Sequence, residues 1–305
     1  MDIATHAAMG LIAASPFVSS RPGLATGLMF GSVLPDLDVL CRGFGKRAFL
    51  AMHQTWSHSL PVILLFSAAV WFVGHESAML GGGLALGLGL GMLGHVLLDV
   101  TNTTGVALFA PFSRKRFCLE WVYFTDKLVM LFSVTMLALV CWNWNQPDAD
   151  AVLPPLLPPL ALLFFVVVYW SLKGWLRQRA KKHAPPQTIS LVPQSWAPWR
   201  FLGIRRRQHS EMEAFRLNAL SGRTAAFMRY SIYDLEYEQF IARLPEFRAM
   251  RNLSPAYHVV EAGQRENGVV LQCRDLRPRR LSAGFGDLKI WLDEHRKIKH
   301  FEFRV

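Results

Sequence analysis

The feature that most constrains this chain is a series of apolar stretches in its first 172 residues. Four of them are long and nearly free of charge: 59–74, 79–100, 127–145 and 151–172. Two weaker ones, 4–20 and 23–40, are interrupted by Pro16 and Pro35. About 20 apolar residues suffice for a helix to cross a bilayer, and lipid requires backbone polar groups to be satisfied within the segment. The stretches therefore predict an α-helical polytopic membrane domain of about five to six spans.

The charge distribution divides the chain into two parts. Residues 1–172 hold 8 Lys/Arg and 9 Asp/Glu, whereas residues 173–305 hold 25 and 13. The chain as a whole is 52% hydrophobic with a mean hydropathy of +0.23, which is high for a soluble protein. We therefore predict a transmembrane domain over 1–172, a basic linker over 173–189 and a soluble, β-rich cytoplasmic domain over 190–305.

The C-terminal part has the alternating pattern that is typical of strands. The segments "EAFRLNAL", "TAAFMRYSI", "NGVVLQCRDL" and "DLKIWLDEHRKIKHFEFRV" read as strands and turns, and "LEYEQFIARLPEFRAM" reads as a helix interrupted by Pro245. We expect a small α+β domain with a mainly antiparallel sheet.

Basic connections set the predicted orientation. Arg42, Lys46 and Arg47 follow the second stretch, Arg114–Arg116 follow the fourth, and the run 173–182 follows the sixth. By the positive-inside rule these connections and both termini are cytoplasmic. The N-terminus "MDIATH" lacks the basic region of a secretory signal, so we expect the first segment to be retained. We therefore expect a multi-pass protein of the inner membrane.

Eight ligand-type side chains, from five of the segments, each fall at the cytoplasmic end of their segment, although the orientation was set from Lys and Arg alone. They are His6, Asp36, Asp38, His53, His58, His95, Asp99 and Asp126. Ionisable residues inside membranes are rare and commonly functional. We therefore predict that these eight side chains form a metal site, although any one of them could instead cap a helix.

The spacing adds geometry to this prediction. His95 and Asp99 are four residues apart, so they share one face of a helix. The aspartates of "LPDLD" alternate with Leu37, whereas His53 and His58 are five apart and fit a loop that enters a helix. Imidazole and carboxylate ligands suit Zn²⁺, with Mn²⁺ or Fe²⁺ as alternatives, and eight ligands are enough for one or two ions.

Two neighbouring features remain open at the level of sequence. Arg114, Lys115 and Arg116 could receive an anionic headgroup or could only set the topology. Asp126 could be a ligand or the N-cap of the helix that begins at Lys127. The scattered cysteines Cys41, Cys118, Cys141 and Cys273 predict neither a thiolate site nor a disulfide framework.

With these motifs in place, the chain resembles the LexA-inducible, inner-membrane metal-dependent hydrolases of bacteria. The resemblance lies in "THAAMG", "LPDLD", "HQTWSHSL", "GHVLLDVTNTTG", "LFAPFSRKRF" and Asp126, and it covers about residues 1–172. Gln54 stands where relatives often have arginine, and Lys127 where they often have proline. The resemblance implies a metal-dependent hydrolase whose polar motif residues are the eight named above.

The expected activity is hydrolysis of an ester or phosphoester by metal-activated water. Asp36 and His58 are the candidate catalytic residues, with Asp36 as general base or water-orienting group. Expected partners are the lipid bilayer and a lipid or phosphate-containing substrate, and no nucleic acid is expected. Two alternatives are a metal-ion or proton transporter, and a non-catalytic membrane scaffold whose basic domain recruits an acidic partner.

Overall fold

The chain forms two compact units in a computed structural model that describes residues 1–74, 76, 81–145, 153–266, 268–277 and 286–305. The first unit comprises Met1–Gly43 and Met52–Gly174, and the second comprises Phe44–Ala51 and Trp175–Val305. The predicted boundary at residue 172 lies close to the division after Gly174. The basic stretch predicted as a linker is helical as far as His183, and Phe44–Ala51 belongs to the second unit.

Helices account for most of the described secondary structure of the first unit. In chain order they are α1 (Ile3–Ala14), α2 (Pro22–Gly31), a 3-10 helix (Leu34–Phe44), α3 (Lys46–Met52), α4 (Leu60–Gly74), α5 (Gly81–Val100), α6 (Lys127–Trp144) and α7 (Leu157–His183). α3 lies mostly in the second unit, and α7 continues into it. Parts of two predicted connections, residues 75, 77–80 and 146–152, lie outside the described residues.

Three of the described helices, α5, α6 and α7, are long and apolar enough to cross a membrane. A fourth candidate is the bent pair of α2 and the 3-10 helix, which meet at 45°. The apolar helices Ile3–Phe17 and Leu60–Gly74 are shorter. The predicted helical membrane region is therefore confirmed with three to four candidate spans.

Glycines bring α2 and α5 into close contact. A Cβ atom built on Gly27 would lie 2.8 Å from the Cα of Gly87, and one on Gly91 would lie 2.9 Å from the carbonyl carbon of Gly31. Only residues without a side chain allow this approach, as in other membrane helix pairs. The Gly/Leu run of α5 therefore permits close helix packing. The contact at Gly91 lies one helical turn before His95 on α5, so the helix crossing holds α5 in place close to the site.

The connection from Thr101 to Asp126 packs against the loop before α4. Val106 and Phe117 form an isolated antiparallel bridge. The amide of Leu60 donates to the Leu108 carbonyl at 2.9 Å, and the amide of Ala107 donates to the Gln54 carbonyl at 3.1 Å. These bonds hold the "HQTWSHSL" loop, residues 53–60, against the rest of the unit.

The second unit contains two four-stranded antiparallel sheets. The first has the order β1-β2-β3-β4, formed by Thr188–Pro193, Arg200–Gln208, Glu211–Asn218 and Thr224–Ser231. The second has the order β5-β6-β7-β8, formed by Tyr257–Arg265, Gly268–Asp275, Asp287–Leu292 and Ile298–Arg304. The predicted antiparallel β domain is confirmed, although it has two sheets and not one.

Helices cover each sheet of the second unit. Leu176 and Ala180 of α7 share a buried cluster with Phe201 and Phe215 of the first sheet. Two short helices, α8 (Asp234–Ile241) and α9 (Pro245–Leu253), pack on the second sheet together with Phe49 of α3. Pro245 begins α9, where its missing N–H costs nothing, so the predicted interruption is confirmed.

Candidate metal centre

Four ligand-type side chains meet in the first unit. They are Asp36 of the 3-10 helix, His58 of the loop before α4, and His95 and Asp99 of α5. One ligand atom from each lies within 4.8 Å of all the others. His58, His95 and Asp99 are buried, and the side chain of Asp36 is 12% exposed. Among the described residues this is the group that could hold a metal ion.

Five distances within the group are close to those between the ligands of one tetrahedral cation. The two Nε2 atoms of His58 and His95 are 3.2 Å apart. Asp36 Oδ1 is 3.7 Å from His58 Nε2 and 3.5 Å from His95 Nε2. Asp99 Oδ2 is 3.5 and 3.6 Å from the same two atoms. An ion with bonds of about 2.0–2.2 Å has ligands about 3.3–3.6 Å apart.

Outer contacts turn both imidazoles towards the centre. His95 Nδ1 donates to the Ser32 carbonyl at 2.7 Å, which leaves Nε2 as the nitrogen with the lone pair. His58 Nδ1 lies 3.4 Å from Asp38 Oδ2 and 2.9 Å from Ser57 Oγ. Such second contacts orient histidine ligands in metal sites and raise their basicity. Both histidines are therefore arranged as Nε2 ligands.

The charge of the site favours a cation. Burial lowers the pKa of His58, but hydrogen bonds to Asp36, Asp38 and Asp99 outweigh it and raise the pKa to about 10. The three carboxylates thus favour positive charge at this ring, and a divalent ion would supply the same charge. The donor set of two imidazoles and two carboxylates fits Zn²⁺, Mn²⁺ or Fe²⁺.

Asp38 and His53 form a pair beside the cluster. Asp38 Oδ1 lies 2.7 Å from His53 Nδ1, while Oδ2 accepts from the Gln54 amide at 2.8 Å and from Ser57 Oγ at 2.9 Å. With these donors around it, the Asp38 carboxylate is suited to orienting His58. His53 is 26% exposed at its side chain, more than the members of the cluster.

His6 contacts the cluster from α1. Its Nε2 lies 3.2 Å from Asp99 Oδ1, and its ring stacks on His95 with centroids 3.7 Å apart. The α-amino group of Met1 contacts the same Asp99 oxygen. Asp99 therefore uses Oδ1 for these contacts and directs Oδ2 towards His58 and His95.

The structure places Asp126 in a different network. Its carboxylate caps α6 by accepting from the amides of Leu128 and Val129, and it lies 2.7 Å from Lys173 Nζ. The hydroxyl of Tyr169 donates to it at 3.0 Å. Asp126 is therefore a helix cap and the partner of a buried lysine, and it is not among the four clustered ligands. The sequence could not separate the two roles because an N-cap and an oxygen ligand use the same side chain.

Arg116 holds the site loop in place. Its Nη2 donates to the His53 carbonyl at 2.9 Å and its Nη1 to the Gly105 carbonyl at 3.0 Å. Nη1 also lies 3.5 Å from Gln54 Oε1, and Gln54 Nε2 lies 3.5 Å from Asp99 Oδ2. Arg114 and Lys115 are exposed. The sequence predicted Arg116 only as an anion contact or a topology signal. Its acceptors are backbone carbonyls, which cannot be identified from residue type.

These features define a class: an integral membrane protein whose helices converge on a buried His/Asp centre. The profile of the YdjM inner membrane protein family matches residues 1–180, so the chain belongs to that family. "Uncharacterized protein YfhP" of Bacillus subtilis (strain 168) is 26% identical over 196 residues, which is 60% of this chain. The chain spans 56% of the length of that relative. No solved structure matches the chain.

Proposed function

We propose that the protein is a metal-dependent hydrolase of the bacterial inner membrane that cleaves an ester or phosphoester of a lipid or lipid-linked substrate. The observation that carries the proposal is the four-ligand group of Asp36, His58, His95 and Asp99, with ligand distances suited to one cation. When bound, a divalent ion would supply Lewis acidity and lower the pKa of a water molecule. Zn²⁺ is the first candidate, and a second ion would need further ligands from His6, Asp38 and His53.

The chain's own residues divide the remaining work. His58 and His95 are fully enclosed and engaged through Nδ1, so they act as ligands and do not exchange protons with solvent. For hydrolysis His58, His95 and Asp99 would hold the ion and leave one position for water, as in catalytic zinc sites, and Asp36, the most exposed member, would accept the proton of that water. His58, predicted as catalytic, contributes by holding the group together.

Apolar side chains around the site support a lipid substrate. Leu37, Leu40 and Trp56 flank the ligands in sequence and are 42%, 68% and 45% exposed, and Phe112 of the following loop is 83% exposed. Exposed apolar patches of this kind face lipid or a ligand. A substrate with its acyl part in lipid would present its headgroup bond near the ligands.

The topology that we propose has five to six segments. It adds the shorter apolar helices Ile3–Phe17 and Leu60–Gly74 to the three or four candidate spans. By the positive-inside rule, the basic connections favour a cytoplasmic location for the site and for the C-terminal domain.

The activity is tested with purified full-length protein and mixed micelles that contain lipid phosphoesters and carboxylic esters. We expect product release that stops on chelation, returns with Zn²⁺ or Mn²⁺, and falls by at least about 100-fold in Asp36→Asn. An equal rate in Asp36→Asn, or a rate that chelation leaves unchanged, would refute the hydrolase.

A further inference from the structure

We propose that the first sheet of the C-terminal unit docks on anionic phospholipid through an arginine-lined cleft. The cleft has a volume of about 770 Å³ and lies over strands β2, β3 and β4. Arg200, Arg216 and Arg223 line it, together with Leu202, Leu217 and Phe227. The proposal concerns a site separate from the His/Asp centre and does not depend on the hydrolase activity.

The strand register explains why the arginines converge. Arg200 pairs with Asn218 and Leu202 with Arg216 in β2 and β3, and Arg216 pairs with Ala225 of β4. Arg223 lies in the turn between β3 and β4. The three guanidinium groups are therefore presented from neighbouring positions around one apolar floor.

The charge of the cleft has no acidic counterpart within it. No acidic side chain is found among the residues that line the cleft in the described part of the chain. Thr188–Ser231 contains seven arginines and two glutamates. One of these, Glu213, is buried and pairs with Arg205, Arg207 and Arg229. The lining arginines are thus suited to phosphate groups, which guanidinium binds in a bidentate manner.

Aromatic residues beside the cleft indicate that it binds lipid phosphate at a membrane surface and not a soluble anion. Phe227 is 45% exposed and lies under the Arg216 guanidinium at 5.2 Å. Trp196 and Trp199, in the segment that leads into β2, are 60% and 39% exposed. Exposed tryptophan next to arginine is typical of protein surfaces at the headgroup level of a bilayer.

Helix α7 joins the apolar stretch that ends at Leu172 to this sheet. The helix is continuous from Leu157 to His183, and its Leu176 and Ala180 are buried with Phe201 and Phe215. At 1.5 Å per residue, Ala180 is only about 12 Å of helix beyond Leu172, the end of the apolar stretch. A short tether raises the effective concentration of lipid phosphate around the cleft.

The test uses the full-length protein in nanodiscs of phosphatidylcholine alone or mixed with phosphatidylglycerol. Amide hydrogen exchange is measured over residues 194–230. We expect slower exchange in the anionic nanodiscs, with the difference removed by high salt. Replacing Arg200, Arg216 and Arg223 with Gln should lower the docked-to-undocked ratio about 100-fold. The matched control replaces Arg243, Arg265 and Lys299 with Gln. These are three exposed cations outside the first sheet, so this variant should still show the slower exchange in anionic nanodiscs.

Other outcomes would overturn the proposal. Equal exchange in both lipids, or protection that survives in the Gln variant, would exclude docking through the cleft. Protection by inorganic phosphate in neutral nanodiscs, without a response to phosphatidylglycerol, would identify a soluble-anion site. Protection by an oligonucleotide alone would identify a nucleic-acid site.

Discussion

The tautomers of two histidines explain why the candidate centre can hold a cation. The Ser32 carbonyl can only accept a hydrogen bond, so it fixes the proton of His95 on Nδ1. For His58 the acceptor is the Ser57 hydroxyl, which lies 2.9 Å from Nδ1 and itself donates to Asp38 Oδ2, so the proton of His58 is held on Nδ1 as well. Each ring therefore presents Nε2 to the carboxylates of Asp36 and Asp99. The ligand geometry depends on these outer acceptors as much as on the ligands.

Replacing Arg116 tests how much the positioning of the site loop contributes to metal binding, separately from the metal ligands themselves. Arg116→Met removes the bonds to the His53 and Gly105 carbonyls and leaves all four ligands intact. We expect metal affinity to fall by about tenfold, as for other outer contacts of metal sites. The measurement is competitive Zn²⁺ titration of the purified full-length protein.

Lys115→Met is the matched control, since it removes the same charge from an exposed neighbouring residue. We expect its metal affinity to equal that of the wild type. Equal losses in both variants would mean that the charge of the loop matters and that the bonds of Arg116 do not.

At the scale of elements, the glycine crossing of α2 and α5 sets the position of His95 and Asp99. A Cβ on Gly87 would lie 2.9 Å from the Gly27 Cα and from the Leu28 nitrogen, which is closer than real contacts allow. Gly87→Ala should therefore push the helices apart and destabilise the unit by about 1–3 kcal/mol. Thermal unfolding in detergent measures this change.

Gly94 provides the control on the same helix. A Cβ there would meet no atom within 4 Å among the described residues, so Gly94→Ala should leave stability unchanged or raise it slightly. If both variants unfolded at the wild-type temperature, the close crossing would not hold the site in place.

A pH-sensitive group of residues surrounds Asp234, the first residue of α8. Its carboxylate accepts from the Val259 amide at 2.8 Å and contacts His258 and Arg251. Burial raises the pKa of Asp234, but the His258 and Val259 hydrogen bonds and the charge of Arg251 hold it below its usual value. A depressed carboxylate pKa stabilises the folded state at neutral pH, and this contribution is lost as the pH falls below the unfolded value of about 4.

Asp234→Asn should therefore lower stability at pH 7 by about 3 kcal/mol and flatten its decline between about pH 5 and pH 2. Denaturant unfolding of the full chain, followed by the circular dichroism of its strands, measures both effects. The exposed Glu266→Gln control should follow the wild-type curve. A variant as acid-sensitive as the wild type would show that other groups determine the acid response.

For the whole molecule, the sequence predicted the parts that depend on local pattern. Long apolar runs became α5, α6 and α7, and the four-residue spacing of His95 and Asp99 placed both in one group. Strands β1, β2 and β5 were not predicted. β1 ends in Pro193 and β2 combines a glycine with an arginine run, so neither shows clear alternation. Both sheets pair strands that follow one another in sequence, and the strand pattern alone does not show how eight strands divide between two sheets.

The predicted eight-residue site illustrates the same limit. Asp36, His58, His95 and Asp99 come together, His6, His53 and Asp38 lie beside them, and Asp126 belongs to the α6 cap. Residue type identified every candidate, but only packing distinguished ligands from neighbours. Ser32 contributes its backbone carbonyl, and Arg116 donates to the carbonyls of His53 and Gly105. Every residue type has such a carbonyl, so the sequence does not reveal these contacts.

The metal content of the purified full-length protein tests the central claim most directly. After loading with Zn²⁺ and dialysis, elemental analysis should find bound metal in the wild type. His95→Ala and Asp99→Asn should lose it, while Asp126→Asn, which alters a buried carboxylate outside the group, should keep it. Equal metal content in the wild type, His95→Ala and Asp99→Asn would contradict the assignment of this cluster as a metal centre.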